Sequence, residues 1–503
     1  MSAERPNKRS KTTLASKEEI GGEPPDRISA LPASLLCSII SFLPIESAVA
    51  TSVLSSRWQH HWRYLSRLDI NPLTITNQIR QGFRQAVSKP RSSRHVEEPE
   101  LADEISSAIP IMSHVVESQL ARNTITACRI SHFSNHFDKV LEWIETRKGG
   151  GIRELSLTCL RHTFLKSLGY RWDEEKKFEI PARALHCESL RVLELSNYLI
   201  KNETPFERCG NLVSLMLNGV KLSDDALEGI IFNCMFLEDL GLRDCEIPSI
   251  TIDDKKLKFL KLKFLEVHGI RVSRFTLCAK GLRTLVVNKL SCPRGKMVVD
   301  CPKLLEFRTS SIDQLERFSG IYKDIHPPSN DPHDPKGVLF ENLQVLCTSC
   351  DLSSIRHGTI LTYALRVSRH LSTLQITNQE QDPAQAYQDS RNLNLVPYPQ
   401  HLHWALKLPF DNISRQLRFV WIMGFRGKDL EISFVSCLIS NATVMDELVI
   451  QCNDDCSREG AIATMGLLSV PRASIEVRIA LKPGKVYLAE FGDDFGNWVL
   501  TLK

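Results

Sequence analysis

The sequence predicts an α+β multi-domain chain: a three-helix N-terminal module, an α/β solenoid of short parallel strands, and a C-terminal cap. Three observations predict it. Apolar residues recur at helical spacing between Asp26 and Ile70. From about residue 150 the theme L-x-x-L-x-L returns at a near-constant step. Near the end, a strand–turn–helix–strand pattern runs from Leu417 to Ile450.

In the N-terminal module, Pro32 suits the first turn of a helix, where a missing N–H costs nothing. Leu35, Leu36, Ile39, Phe42 and Leu43 follow at helical spacing, and Pro44 ends that helix and can open the next. Ala48, Val49, Val53 and Leu54 give the second helix its stripe. Ser55 or Ser56 is the expected N-cap of a third helix carrying Trp58 and Trp62. A module this short rarely buries enough surface alone, so it should dock on the rest of the chain or on a partner.

The repeats begin at Leu190, Leu212, Leu237, Leu262 and Leu282, after an earlier copy at Ile152–Leu160; weaker copies start at Leu304, Leu343 and Leu371. The first-leucine steps from 190 to 304 are 22, 25, 25, 20 and 22 residues. Such periods are those of leucine-rich repeats, each a strand, a turn and a return segment. In Leu193-Glu194-Leu195 the leucines point inward and Glu194 outward. The same alternation places Met216, Gly241, Glu266 and Val286 on the concave face. Ser223 is the expected N-cap of a helix over Leu222–Ile231. Each repeat leaves an apolar side only its neighbours can cover, so the array stacks.

At the C-terminus, Gly424-Phe425-Arg426-Gly427 reads as a turn. A helix follows from Asp429 to Ile439, Asn441-Ala442 stops it, and Leu448-Val449-Ile450 forms another strand.

The module from Asp26 to Ile70 resembles an F-box. The resemblance rests on LP-x-x-LL from Leu31 to Leu36, Ile39, Phe42-Leu43-Pro44, and LSSRW-x-x-x-W from Leu54 to Trp62. The C-terminal block resembles the FBD domain that follows the repeats in many plant F-box proteins, on Gly424–Gly427, the leucine-rich helix, Asn441-Ala442 and Pro471-Arg472-Ala473-Ser474. The order F-box, leucine-rich repeats, FBD-type cap implies a substrate-recognition subunit of an SCF-type ubiquitin ligase. Its partners would be a Skp-type adaptor and, through it, a cullin, with an unspecified target protein held by the repeats. The resemblance implies adaptor contact through Leu31, Pro32, Leu35, Leu36, Ile39, Phe42 and Leu43, with Trp58 and Trp62 in the F-box core. The expected domains are a disordered tail at 1–23, the F-box at 24–70, and a linker or insert at 71–118. The solenoid with loop insertions covers 119–400, and the FBD-like region 401–503.

Composition bounds the alternatives. Sixty-three basic against 59 acidic residues leave a net charge of +4 over 503 residues, too small for bulk nucleic-acid binding. No run of about 18 apolar residues predicts a membrane span, and MSAERPNKRSK lacks the apolar core of a secretory signal. Fifteen scattered cysteines point to reduced thiols in the nucleus or cytoplasm. RPNKRSK could serve nuclear import or simply be a solvated tail. A helix-turn-helix DNA reader using Arg57, His60, His61, Arg63 and Arg67 would put two tryptophans on a recognition helix, where a core is the better place for them. The alternative function is an adaptor-independent scaffold that binds protein or nucleic acid.

The chain carries no nucleotide-binding P-loop, no G-x-S-x-G and no H-E-x-x-H. No catalytic residue, cofactor or metal is therefore expected. Cys347-x-x-Cys350 and the pair Cys452 and Cys456 lack the spacing of a tetrahedral site, and buried thiols are the better reading. His60-His61 reads as helix surface, and His401-x-His403 receives no role.

Overall fold

The computed structural model describes residues 28, 30–43, 45–71, 125–133, 137–145, 151–160, 177–223, 225–257, 260–293, 295–319, 339–380 and 410–482. The expected tail at 1–23 lies outside these residues. So do residues 72–118 of the expected linker or insert, residues 161–176, 320–338 and 381–400 of the expected solenoid, and His401 and His403.

The strands, in chain order, are β1 Arg67–Ile70, β2 Ala127–His132, β3 Glu154–Cys159, β4 Phe178–Glu179, β5 Val192–Ser196, β6 Tyr198–Ile200, β7 Ser214–Asn218, β8 Lys221–Leu222, β9 Asp239–Arg243, β10 Ser249–Asp253, β11 Phe264–His268, β12 Arg274–Cys278, β13 Thr284–Asn288, β14 Met297–Asp300, β15 Glu306–Arg308, β16 Val345–Cys350, β17 Thr373–Asn378, β18 Phe419–Phe425, β19 Glu447–Cys452 and β20 Arg478–Lys482. Fourteen of them form one sheet, in the order β1-β2-β3-β5-β7-β9-β11-β13-β15-β16-β17-β18-β19-β20. Successive neighbours pair in parallel, as in β5–β7, β11–β13 and β19–β20. The return segments add two three-stranded sheets, β4-β6-β8 and β10-β12-β14.

Period-2 alternation explains the sheet. Leu193, Leu215, Leu240, Leu265 and Leu285 occupy one register row and are fully buried. Burying each such leucine is worth about 1.5–3 kcal/mol. Glu194, Met216, Gly241, Glu266 and Val286 align in the next row, on the opposite face, as the alternation predicts. Past Leu304 the steps lengthen but the register continues through β15, β16, β17 and β18. The longer returns hold helices such as Ile312–Ser319 and Ile355–Val367.

Each early repeat turns at one left-handed residue directly after its strand: Asn197, Gly219, Asp244, Gly269 and Lys289. Glycine, asparagine and aspartate tolerate that conformation best. At Gly269 a Cβ would also lie 2.0 Å from the Asp244 carboxylate.

The cysteines form a second ladder. Cys187, Cys209, Cys234 and Cys301 each stand three residues before the first leucine of a repeat. Each accepts, at its carbonyl, the amide of that leucine at 2.9–3.1 Å. All four are buried.

The helices of the N-terminal module are Ala33–Ile40 and Ile45–Ala50. Trp58 is buried as expected, while Trp62 is half-buried against the core. The third helix does not form. The second helix ends early, at Ala50, and passes into a 3-10 turn at Thr51–Val53; a 3-10 turn at His61–Tyr64 stands in the region of the third, because a short run rich in histidine and tryptophan has weak helix propensity. Ser223 is likewise not an N-cap. Its hydroxyl donates to the Lys201 carbonyl, and the helix Ala226–Asn233 begins after Asp225.

The module docks on its own chain. Leu36, Ile40, Ile45, Ala48, Trp58 and Leu65 share one continuous core with Leu68 and Ile70 of β1. Ser66 ties the seam. Its amide donates to Ser41 Oγ at 3.1 Å, and its carbonyl accepts from Thr126 and Ala127 beside β2. The sheet thus starts at Arg67, within the stretch assigned to the helical module.

Beyond residue 400 the sheet runs on through β18, β19 and β20. The expected Gly424–Gly427 turn is corrected: Gly424 and Phe425 remain in β18, where the register shifts between Met423 and Phe425, and the link is residues 426–428. The helix after it spans Asp429–Asn441, with Ala442 as C-cap.

Candidate functional site

Two surfaces carry the candidate residues. The first is on the helix Ala33–Ile40 and the turn after it. Pro32 precedes the helix with extended ψ and accepts the amides of Leu35 and Leu36 at 3.0 and 3.1 Å. A guanidinium nitrogen of Arg57 donates to the Leu31 carbonyl at 2.6 Å, so the Ser-Arg-Trp block pins the opening in place.

The helix is apolar on two sides. Leu36 and Ile40 point inward and are fully buried, and Leu43 packs partly against the same core. Leu35, Ile39 and Phe42 fall on a separate stripe at i, i+4 and i+7 and remain 50%, 46% and 77% exposed. Pro32 is exposed beside them and Leu31 is half-buried. Leu36 is therefore corrected from adaptor contact to core residue, since no partner reaches a side chain with no exposed area. Ile28, Val53, Leu54 and Tyr64 are also exposed and were not among the expected contacts. Val53 and Leu54, expected on the stripe of the second helix, lie at the end of and just after the 3-10 turn and face solvent. The Arg67 guanidinium lies 5.8 Å from the Phe42 ring centroid and 2.6 Å from Glu154 of β3, linking this surface to the sheet.

The second surface is the open face of the fourteen-stranded sheet. Its charges pair across neighbouring strands. Arg243 donates twice to Glu266, at 2.8 and 2.7 Å, and hydrogen bonding to that carboxylate pushes the guanidinium further up. Lys263 meets Glu238, and Arg418 meets Asp446. Met216 lies across Gly241, whose Cβ would sit 2.1 Å from the Met216 sulfur, so Gly241 is covered rather than displayed. Toward the C-terminal end the face gains aromatic residues beside the Glu447–Arg478 ion pair. Phe419 and Trp421 stack with centroids 6.4 Å apart, aligned with Thr373 and Gln375 of β17 and with Glu447 and Val449 of β19.

The thiol candidates separate. Cys347 faces the open side and donates to Gln375 at 3.5 Å, while Cys350 is buried on the other face of β16. Among the described residues no group of three or more His, Cys, Asp or Glu is placed to hold a metal. His61 is half-buried, with Nδ1 3.6 Å from Cys37 Sγ.

The F-box domain model matches residues 28–69. The model described as "FBD-associated F-box protein At5g56370, LRR repeats" matches residues 140–274. The chain thus carries an F-box and FBD-associated leucine-rich repeats, and along most of its length it is similar to plant F-box/leucine-rich-repeat/FBD proteins. Among its relatives in Arabidopsis thaliana, F-box protein At1g80960 is 24% identical, covering 85% of this chain and 84% of the relative. F-box/LRR-repeat protein 13 is 23% identical over 92% of this chain and 97% of its own length. F-box/FBD/LRR-repeat protein At1g78750 is 24% identical over 92% and 97%. The exposed stripe Leu35, Ile39 and Phe42 thus belongs to the F-box, and the stacked Phe419 and Trp421 to the sheet that its repeats continue.

Proposed function

We propose that this chain is the substrate-recognition subunit of an SCF-type ubiquitin ligase. Its F-box holds a Skp-type adaptor and, through it, a cullin; its repeats hold a target protein on the open sheet face. A general role of this kind goes with the F-box and the repeats. The observation that carries the specific reading is the solvent-facing stripe Leu35, Ile39 and Phe42 on a helix whose other side is already buried. A helix apolar on both sides wants both covered. The chain itself contributes no bond-making residue. It raises the effective concentration of the target near the ubiquitin-carrying enzyme. The paired charges of the open face suit a protein target better than a phosphate backbone, which requires unpaired cations. A nuclear or cytoplasmic location goes with this proposal.

The test is co-expression with a Skp-type adaptor followed by pull-down. Replacing Leu31 and Pro32 together by alanine should abolish capture with the repeats still folded. Unchanged capture would refute the adaptor contact.

A further inference from the structure

The exposed large apolar side chains of the described residues fall into three groups, apart from Val192 on the sheet. One is the F-box stripe, and one is the C-terminal group Ile462, Met465 and Ile475. The third is Phe232, Met235 and Phe236, on a return segment away from the main sheet.

The helix Ala226–Asn233 buries Ala226, Leu227, Ile230 and Ile231 against the core, yet leaves Phe232 68% exposed. Met235 and Phe236 extend the apolar surface beyond the helix end. Beside Phe232 opens a cavity of about 350 Å³, also lined by Glu203, Glu207, Glu228, Gly229 and Lys256. Lys256 pairs with Glu228 at 3.3 Å. Glu203 and Glu207 have no ion pair among the described residues. Glu203 lies along the helix where Gly229 has no side chain; a Cβ there would come within 2.9 Å of it. Lys261 holds its ammonium 4.1 Å from the Phe236 centroid, so an ammonium already rests on one ring of this surface.

We propose that this return-side patch is a second docking surface, distinct from the open sheet face, and that it takes a basic amphipathic helix of a partner protein. The partner's lysine or arginine enters the cavity between Glu203 and Glu207. Its apolar side chains cover Phe232 and Phe236. Charge complementarity selects the occupant: two carboxylates with no ion pair among the described residues, beside the exposed Phe232 ring, favour a cation carried on an apolar stem.

The test uses the full chain and a fluorescein-labelled 18-residue helical peptide with leucines on one face and lysines flanking it. The control peptide has glutamate at every lysine position. Fluorescence anisotropy should show the lysine peptide binding at least about tenfold more tightly than the control, and more weakly as salt rises. Phe232→Ala, and separately the double change Glu203→Gln with Glu207→Gln, should each weaken it by about fivefold or more. These side chains lie at the surface, so an unchanged melting curve certifies the fold. Trp421→Ala, on the open face, should leave binding unchanged. No binding, equal binding of both peptides, indifference to the Phe232 and glutamate changes, or loss with Trp421→Ala would each overturn the proposal. None of these readouts depends on the adaptor.

Discussion

Asn378 and Glu431 meet in the interior, Asn378 Nδ2 donating to Glu431 Oε1 at 2.8 Å. They fasten the C-terminal cap to the repeat before it. The other Glu431 oxygen accepts the amides of Arg426 and Gly427 at 2.8 and 2.9 Å. Asn378 also accepts from the Leu352 amide and donates to the Gly424 carbonyl. One buried carboxylate thus organises the link after β18 and, through Asn378, joins β17 to β18.

Glu431→Gln keeps the shape but turns one acceptor oxygen into a donor among donors. It should lower stability by about 1–3 kcal/mol in urea unfolding. Glu431→Ala should cost more, because Asn378 and two amides lose their partner together.

Arg356 reaches back to Glu316, at 2.6 Å, and to Asp313, at 2.8 Å. Glu316 is buried, so Arg356→Ala withdraws a hydrogen-bonded cation from a carboxylate held inside. About 2 kcal/mol or more should be lost. The double change Arg356→Ala with Glu316→Ala should recover part of it in the same unfolding measurement.

Burial pushes the thiols of Cys209 and Cys301 up to about 12, and that of Cys245 to about 11. Alkylation needs the thiolate. At pH 8 the Cys245 thiolate should be on the order of one in a thousand, against roughly a quarter for an unfolded cysteine. Iodoacetamide with peptide mapping should therefore spare these three in the native chain and modify them in urea. A raised thiol pKa also favours the fold below its ordinary value. This contribution is fully present below pH 9 and is lost as pH rises towards 11 and 12, so melting temperature should fall over that window.

The two stripes of the first F-box helix separate stability from binding. Leu36→Ala should cost about 2–5 kcal/mol, as a buried leucine does. Leu35→Ala should change stability by about 0.5 kcal/mol or less. Thermal unfolding of the two variants checks this directly.

The repeat strands were legible because leucines at i and i+2 have one geometric reading once stacked. The break before the helix was legible from Gly427, which is left-handed and where a Cβ would lie 2.0 Å from the Gly460 carbonyl, but Gly424 stays in β18. The dependence of this break on Glu431 was not legible, because nothing in sequence ties Glu431 to Asn378, 53 residues earlier. Strand β2 was missed because its inward positions are Cys128, Ile130 and His132 rather than leucines. His132 is tolerated inside because Nε2 meets the Tyr198 hydroxyl at 2.5 Å and Nδ1 the Phe133 carbonyl at 3.0 Å. The F-box face was legible as composition but not as orientation. Leu35 and Leu36 are adjacent in sequence, and only the docked helix decides which of them meets solvent.

The most direct test of the account is size-exclusion chromatography of the full chain co-expressed with a Skp-type adaptor. Deleting residues 24–70 would remove β1 and part of the shared core, so the contrast belongs on the surface: the wild-type chain against Leu35→Ala, Ile39→Ala and Phe42→Ala combined. The account predicts co-elution of adaptor with the wild-type chain, and its loss from a variant whose melting temperature is little changed. Absence of co-elution with the folded wild-type chain, or co-elution that survives the triple change, would contradict it.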